Sequence, residues 1–392
     1  MRRLFLLVVA VFMPVAKAAV ATDVFVEDRA ASKQALRELC DHIVAEKSEF
    51  KVIFIGGYYM RTLVAAARIL DEPAYLNAAV KWADLLLERQ MDSGYWDTGY
   101  GTVFLADTGS ALGLFMNLYP HVDDARREGY RTSVARFVES IERNSLIRPS
   151  GAFGVGFKLT DDGALGESIP EEYTISSALA GGEVFTWYGL QTVDPRHQET
   201  AFRALRWVLS TMRSDGVIPY ILPLGGGDRT KMGTEKADAV LWRNMVYQVA
   251  TYLGEAIIAF DRHGTWPAWK QEIRMALRPH IEFLLRTQNP DGTWGAHDSW
   301  DQKRSPGVAN VLIWYHREVE ADERIVQAVR RFNRVLTDPE EGRRFGLVYR
   351  GAEVTWTTKA NARGNFVPND IVTALSGRAL VEMLEPGIDS EW

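Results

Sequence analysis

Helical segments in this chain come in pairs, and their connections alternate between short and long. Hydrophobic periodicity predicts outer helices near 30–47, 72–90, 123–144, 194–212, 265–288 and 322–337. Each is followed by a more apolar inner helix, near 53–71, 104–119, 173–192, 240–262, 305–318 and 366–384. From the second pair onward, the outer-to-inner connections far exceed the usual length of roughly 4–6 residues. If six such hairpins close into a ring, one rim carries nearly all the long loops, where functional residues usually lie.

The composition fits one large folded domain. The chain has 392 residues, of which 47% are hydrophobic and 24% are charged, and no Pro/Ser-rich linker divides it. We therefore predict a single all-α domain over residues 22–392. Alternating patterns at 153–159, 217–222 and 345–356 predict small β-hairpins in the long loops. Cys40 is the only cysteine, which excludes an internal disulfide, and its helical context predicts a core position.

The first residues have the pattern of an export signal. Arg2 and Arg3 precede an apolar run over 4–15, and small residues at 16 and 18 fit a cleavage site. We predict a signal peptide over 1–18, with cleavage after Ala21 as the alternative, and a secreted or periplasmic protein. Removing the three basic residues of this segment changes the formal net charge from −6 to −9. That charge argues against nucleic acid as a partner and against membrane association after cleavage.

Two outer helices end in the same sequence, Q-x-x-x-G-x-W. It occurs at 90–96 and at 288–294, and a relaxed copy occupies 212–218. Glycine can adopt the left-handed conformation that ends a helix, glutamine can bond freed backbone groups, and tryptophan can cover the turn. The motif is therefore predicted to be architectural.

This motif resembles the repeat of terpenoid cyclases and the Q-x-x-D-G-x-W helix ends of α/α-toroid carbohydrate enzymes, namely six-hairpin glycosidases and related polysaccharide lyases. The resemblance implies an (α/α)6 toroid whose active site lies on the elaborated rim. The chain lacks the Asp-x-Asp-Asp motif expected of class II terpenoid cyclases, and export fits poorly with an isoprenoid substrate. A carbohydrate enzyme is therefore preferred, and a cyclase-like protein ranks last.

Asp107 is the preferred catalytic residue, because it is a lone carboxylate near the start of a nearly charge-free inner helix. Partial burial there would raise its pKa toward that of a useful acid, although a first-turn acid is also favoured by the helix dipole. A glycoside hydrolase needs a second carboxylate, for which Asp298 and Glu172 are candidates. Glu172, like Glu171, has helix capping as its competing role. Aromatic residues beside carboxylates suit sugar binding, so we assign substrate contacts to four loop residues: Trp96, Asp97, Tyr100 and Trp300. For Trp96, capping of the helix end is an equally strong interpretation.

A polysaccharide lyase or an epimerase acting on a uronate is the main alternative. A lyase needs a base, for which Tyr247 and His297 are candidates, and cations that neutralise the uronate carboxylate. Arg243, Arg350 and Lys359 are the predicted cations. A non-catalytic glycan-binding toroid is a further alternative of a different class.

We predict no metal and no cofactor. His297, Asp298 and Asp301 fall in one loop, but one histidine with two carboxylates is a weak indication of a metal site. Carbohydrate is the only predicted partner. The sequence leaves open the identity of the glycan and the oligomeric state.

Overall fold

The computed structural model describes residues 24–46, 53–97, 101–222, 245–297, 299, 301–352 and 368–388. Outer helices over these residues are α1 (Arg29–Glu46), α3 (Pro73–Glu88), α5 (Asp124–Arg143), α7 (Pro195–Ser210), α9 (Pro267–Arg286) and α11 (Glu323–Thr337). Inner helices are α2 (Ile53–Ile69), α4 (Leu105–Leu118), α6, α8 (Val246–His263), α10 (Ser305–Glu318) and α13 (Pro368–Leu384). Helix α6 starts as Thr174–Ser176, continues as a π-helix over Ser177–Val184 and ends as Phe185–Thr192. A short helix, α12 (Pro339–Phe345), lies in the last long connection.

The six inner helices form a closed ring, because each packs on the next and α13 packs back on α2. The outer helices cover this ring and alternate with it in direction, so the long connections meet at one rim, where the inner helices begin. This arrangement confirms the predicted all-α toroid of six hairpins. Among the described residues, no helix is both long and apolar enough to cross a membrane. Cys40 is buried, as predicted.

A four-stranded antiparallel sheet joins three of the long connections on this rim. It contains β1 (Thr102–Phe104), β2 (Gly154–Leu159), β3 (Leu165–Tyr173) and β4 (Ile221–Leu222), in that order. Strand β1 runs directly into α4, and β3 runs directly into α6. The strand signals at 153–159 and 217–222 thus belong to one shared sheet rather than to separate hairpins.

The hairpin predicted at 345–356 is wrong over its described part, 345–352. This segment contains the end of α12 and a 3-10 turn, Val348–Arg350. Asp338 accepts hydrogen bonds from the backbone nitrogens of Glu340 and Glu341 at 2.8 and 3.0 Å. Gly346, with φ of 102°, then ends the helix. These two local signals favour a helical turn over a strand.

The helix-end motif forms a tight turn that docks on the next outer helix. Gln90 Nε2 donates to the backbone oxygens of Gly94 at 2.9 Å and of Ser133, in α5, at 3.0 Å. Trp96 Nε1 donates to Leu86 O at 2.8 Å and so caps the end of α3. Gly94 has φ of 88°. The motif thus both ends one outer helix and attaches it to its neighbour.

The second copy repeats this geometry closely. Gln288 Nε2 donates to Gly292 O at 2.9 Å and to Ala328 O, in α11, at 2.8 Å. Trp294 Nε1 donates to Leu284 O at 2.7 Å. The prediction that the motif is architectural is confirmed for both copies.

In the relaxed copy, a histidine from the next outer helix, α9, takes the place of the missing glutamine. Met212 stands in the glutamine position and has no amide to donate, and His280 Nδ1 lies 2.8 Å from Gly216 O. Burial lowers the pKa of His280 to about 4. The ring is therefore neutral at pH 7, and Nδ1 must carry the hydrogen because a carbonyl oxygen only accepts.

We expect alanine at Gly94 to destabilise the protein by about 2–4 kcal/mol. The residue has a positive φ, and an added Cβ would lie 2.7 Å from the backbone of Arg136. Gly163→Ala is the matched control, because Gly163 has φ of 82° with nothing within 4 Å of an added Cβ. The free energy of unfolding of that control should fall by only about 1 kcal/mol. Denaturant unfolding measures the free energy of unfolding of both variants. Equal losses in the two would show that docking of the turn on α5 contributes nothing to stability.

Candidate functional site

Asp107 lies in the first turn of α4, at the rim where the inner helices begin. It is the one residue of α4 that is not buried, since its side chain is half-buried and every other residue of the helix is buried. Burial raises the pKa of this carboxyl to about 7, and Arg304 opposes the shift electrostatically. An acid with this pKa is partly protonated at neutral pH, as a proton donor must be.

Three tyrosines and one arginine surround this carboxyl, and together with Asp107 they form what we term the rim cluster. Burial is the main cause that raises the pKa of Tyr173, Tyr220 and Tyr252, and the carboxylate of Asp107 adds to each shift, so it lies within electrostatic range of all three phenols. The hydroxyls of Tyr173 and Tyr220 are hydrogen-bonded, and their rings meet edge to face at 4.9 Å. Burial, as the largest cause, raises the pKa of Tyr220 to about 12. The phenols are therefore neutral hydrogen-bonding groups around the acid at pH 7.

Arg304 supplies the cation of the rim cluster. It immediately precedes α10, it is 1% exposed, and its guanidinium lies 5.6 Å from the ring centroid of Tyr252. Asp301, three residues earlier, accepts hydrogen bonds from the backbone nitrogens of Tyr247 at 3.0 Å and of Gln248 at 2.9 Å. These bonds attach the fifth long connection to the start of α8 and so help to hold Arg304 in place.

The floor below the rim cluster is a buried network of charges on the ring axis, which we term the axial network. Arg61 Nη2 lies 3.0 Å from Glu183 Oε1, and Arg61 Nη1 lies 3.9 Å from Glu255 Oε2. Arg378 forms a further ion pair with Glu255, and Tyr58 donates to the same carboxylate at 2.9 Å. All five residues are buried. The interior of the ring below Asp107 therefore contains two acids and two arginines that pair with one another.

Of the two partners predicted for Asp107, Asp298 lies outside the described residues and Glu172 points away from the cluster. Glu172 precedes Tyr173 in β3, and consecutive strand residues point to opposite faces. Its carboxylate accepts a hydrogen bond from Ser150 Oγ at 3.5 Å. The structure thus places Glu172 in β3 with Ser150 as its partner.

Glu171 is a further carboxylate of β3, two residues before Tyr173. Glu172 pairs with Gly154 and Ile169 pairs with Gly156, so the register shifts between them and residues 170 and 171 form a bulge. Bulges re-aim side chains next to active sites. Glu171 Oε2 is buried and has no hydrogen-bond partner among the described residues. Sequence reasoning assigned this residue a capping role because the bulge is not visible in the sequence.

Two predicted aromatic site residues are structural. Trp96 is 1% exposed and caps α3, so its ring has no face available for a sugar. Tyr247 has its ring stacked on Phe283 of α9, with centroids 5.9 Å apart, and so faces an outer helix rather than the axis. Trp96, predicted to bind substrate, and Tyr247, predicted to be a base, therefore both make structural contacts outside the rim cluster.

The predicted cation Arg350 and the predicted base His297 also lie outside the rim cluster. Arg350 forms an ion pair with Glu38 of α1, which places it between outer helices. The side chain of His297 is 78% exposed, and its Nδ1 accepts a hydrogen bond from Gln302 at 3.0 Å. Asp97 is exposed beside the same rim. The remaining predicted residues, Tyr100, Arg243, Trp300 and Lys359, lie outside the described residues.

Asp107→Asn is expected to stabilise the protein at pH 8 and to leave its stability unchanged at pH 4. The folded-state pKa, about 7, lies above the ordinary value of 3.8, so the folded chain binds this proton more tightly than the unfolded chain. Ionising Asp107 therefore costs stability as the pH rises from about 4 through 7, and asparagine removes that cost. Thermal unfolding at both pH values measures the effect.

Asp161→Asn, at an exposed turn, is the control for that measurement. It should change the melting temperature by the same small amount at both pH values. If Asp107→Asn also shifts the melting temperature equally at pH 4 and pH 8, burial does not hold a proton on Asp107.

No protein-family model and no curated protein sequence match the chain. Solved structures of similar shape exist. A polysaccharide lyase has a TM-score of 0.63 at 13% identity, over 91% of this chain and 97% of the lyase. The unsaturated glucuronyl hydrolase of Bacillus sp. GL1, responsible for the degradation of glycosaminoglycan, has a TM-score of 0.62 at 14% identity. The match covers 92% of this chain and 97% of the hydrolase. An inactive α-1,6-mannanase variant from Salegentibacter sp. HEL1_6, in complex with α-1,6-mannotetrose, has a TM-score of 0.55 at 14% identity. The match covers 91% of this chain and 98% of the mannanase. The chain thus has the same α/α-toroid fold as these solved structures.

Proposed function

We propose that this protein is a carbohydrate-active enzyme, specifically a glycoside hydrolase in which Asp107 is the proton donor. The observation that carries the proposal is a half-buried carboxyl with a pKa of about 7 among three phenols and a buried arginine at the mouth of the ring. The similar solved structures include hydrolases of this fold, and glycosidic bonds need such an acid for leaving-group protonation.

In this mechanism Asp107 donates its proton to the glycosidic oxygen as the bond to the anomeric carbon breaks. Arg304 then stabilises the carboxylate that forms, because it already favours the ionised state of Asp107. Tyr173 and Tyr220 offer hydroxyl groups to the sugar. Glu171 is the proposed second carboxylate, which would activate water or attack the anomeric carbon.

A polysaccharide lyase is the second candidate, and the juxtaposition of Tyr220 with Arg304 favours it. Arg304 would neutralise the uronate carboxylate, and a phenol would transfer the proton of the neighbouring carbon. These two residues take the roles first considered for Arg350 and Tyr247. The pKa of Tyr220, raised to about 12, makes its phenolate scarce at neutral pH, which is why hydrolysis by Asp107 ranks first.

Purified protein incubated with neutral and uronate-containing oligosaccharides should release new reducing ends without an unsaturated, ultraviolet-absorbing product. Asp107→Asn should lower kcat by at least about 100-fold, the usual effect of losing a general acid. The wild-type kcat/KM should fall as the pH rises above about 7, because the proton on Asp107 is then lost.

Tyr220→Phe separates the two mechanisms. This variant should retain most of the hydrolytic activity, whereas an elimination that uses the Tyr220 phenol would be abolished. Full activity of Asp107→Asn would refute its role as the acid, and an ultraviolet-absorbing product would assign the site to the lyase class.

Export through a cleaved segment at 1–18 is part of the proposal, supported by the basic, apolar and small-residue pattern of that segment. Sequencing the N-terminus of the mature protein should then give Ala19 as the first residue. A mature chain that retains Met1 would contradict it.

A further inference from the structure

A single aromatic side chain stands out at the end of the toroid opposite the rim. Trp266 precedes α9 and is 46% exposed, and it is the only aromatic member of the large apolar side chains that the described residues expose. Its ring contacts Trp269 at a centroid distance of 5.2 Å and an interplanar angle of 43°.

The ring is held by a column of aromatic side chains that reaches the core. Trp269 stacks in parallel on Phe202, with centroids 4.6 Å apart and planes 5° apart. Phe202 stacks in turn on Phe260 at 6.3 Å. This support gives Trp266 a firm backing and reduces the conformational entropy that it would lose on binding a ligand.

Charged groups border the column. Arg206 lies over Phe202 at 5.9 Å and forms a 3.0 Å ion pair with Glu272, which is one turn beyond Trp269. The side chains of Arg206 and Glu272 are 65% and 45% exposed. An exposed indole face next to donors and acceptors is the combination that a pyranose requires, because its C–H face is apolar and its hydroxyls are polar.

The patch is too small for a protein interface. A stable interface buries about 800 Å² on each partner, far more than one indole face offers. The other exposed apolar residue of α9, Met275, is nine positions from Trp266 and therefore lies about half a turn around the helix from it. The exposed apolar surface of this helix is thus not continuous.

We propose that Trp266, backed by Trp269 and bordered by Arg206 and Glu272, is a non-catalytic binding site for a pyranose ring of a polysaccharide. This inference rests on the proposed carbohydrate function. The site lies at the end of the toroid where the short connections run, so it holds a polymer at a distance from Asp107. Its role is to keep the enzyme on the polysaccharide whose chains the rim cluster acts upon.

Affinity gel electrophoresis tests the site without requiring catalysis. The wild-type protein is run in gels that contain α-1,6-mannan, xylan or polygalacturonate, against a gel with no polysaccharide. At least one polymer should retard it, and Trp266→Ala should weaken the apparent affinity roughly fivefold or more, the value of one stacked ring. Trp266→Phe keeps a ring and should retain most of the retardation, and Met275→Ala should match the wild type.

The inference is overturned if none of the three polymers retards the wild type, or if Trp266→Ala is retarded as strongly as the wild type. Asp107→Asn separates this result from the proposed function, since its retardation should equal that of the wild type. If the wild type yields no product from any glycan but shows retardation that depends on Trp266, the proposed hydrolase is wrong and the binding site stands.

Discussion

The axial network of Arg61, Glu183, Glu255 and Arg378 is the interaction on which the rest of the structure depends. These residues come from α2, α6, α8 and α13, so four of the six inner helices contribute to one set of buried ion pairs. Two acids balance two arginines, and removing any one partner would leave a buried charge uncompensated, at a cost of about 3–5 kcal/mol. The network thus fixes how these helices face the axis, and it lies deeper in the ring than the rim cluster.

In the rim cluster, burial and electrostatics act against each other at Asp107. The N-terminus of α4 and the neighbouring Arg304 both favour a charged carboxylate at Asp107, yet burial outweighs them and leaves a pKa of about 7. The conflict between burial and ionisation is typical of catalytic sites, where a perturbed pKa gives the group a proton to donate at working pH.

The sequence predicted the helices well because their periodicity is local, and it singled out Asp107 as a candidate because a lone acid stands out in an apolar helix. It missed one tight turn. Arg148 N donates to Ala152 O at 2.8 Å, and Gly151 packs on Arg203, so 147–153 repeats the turn of 90–96 with only the glycine retained. It also misassigned Arg350, whose partner Glu38 is more than three hundred residues away in the chain. Side-chain partners of this kind depend on ring closure, which no local pattern reports.

The same dependence explains why the candidate site is a property of the whole ring. Asp107 comes from the second hairpin, Tyr173 from the third, Tyr252 from the fourth and Arg304 from the fifth. None of these residues contacts the others through local structure, so an isolated hairpin would carry no site. Helix caps such as Trp96 act within a few residues of their own helix, whereas the acidity of Asp107 requires the burial that neighbouring hairpins provide. Closure of the toroid and the raised pKa of Asp107 are therefore one physical event.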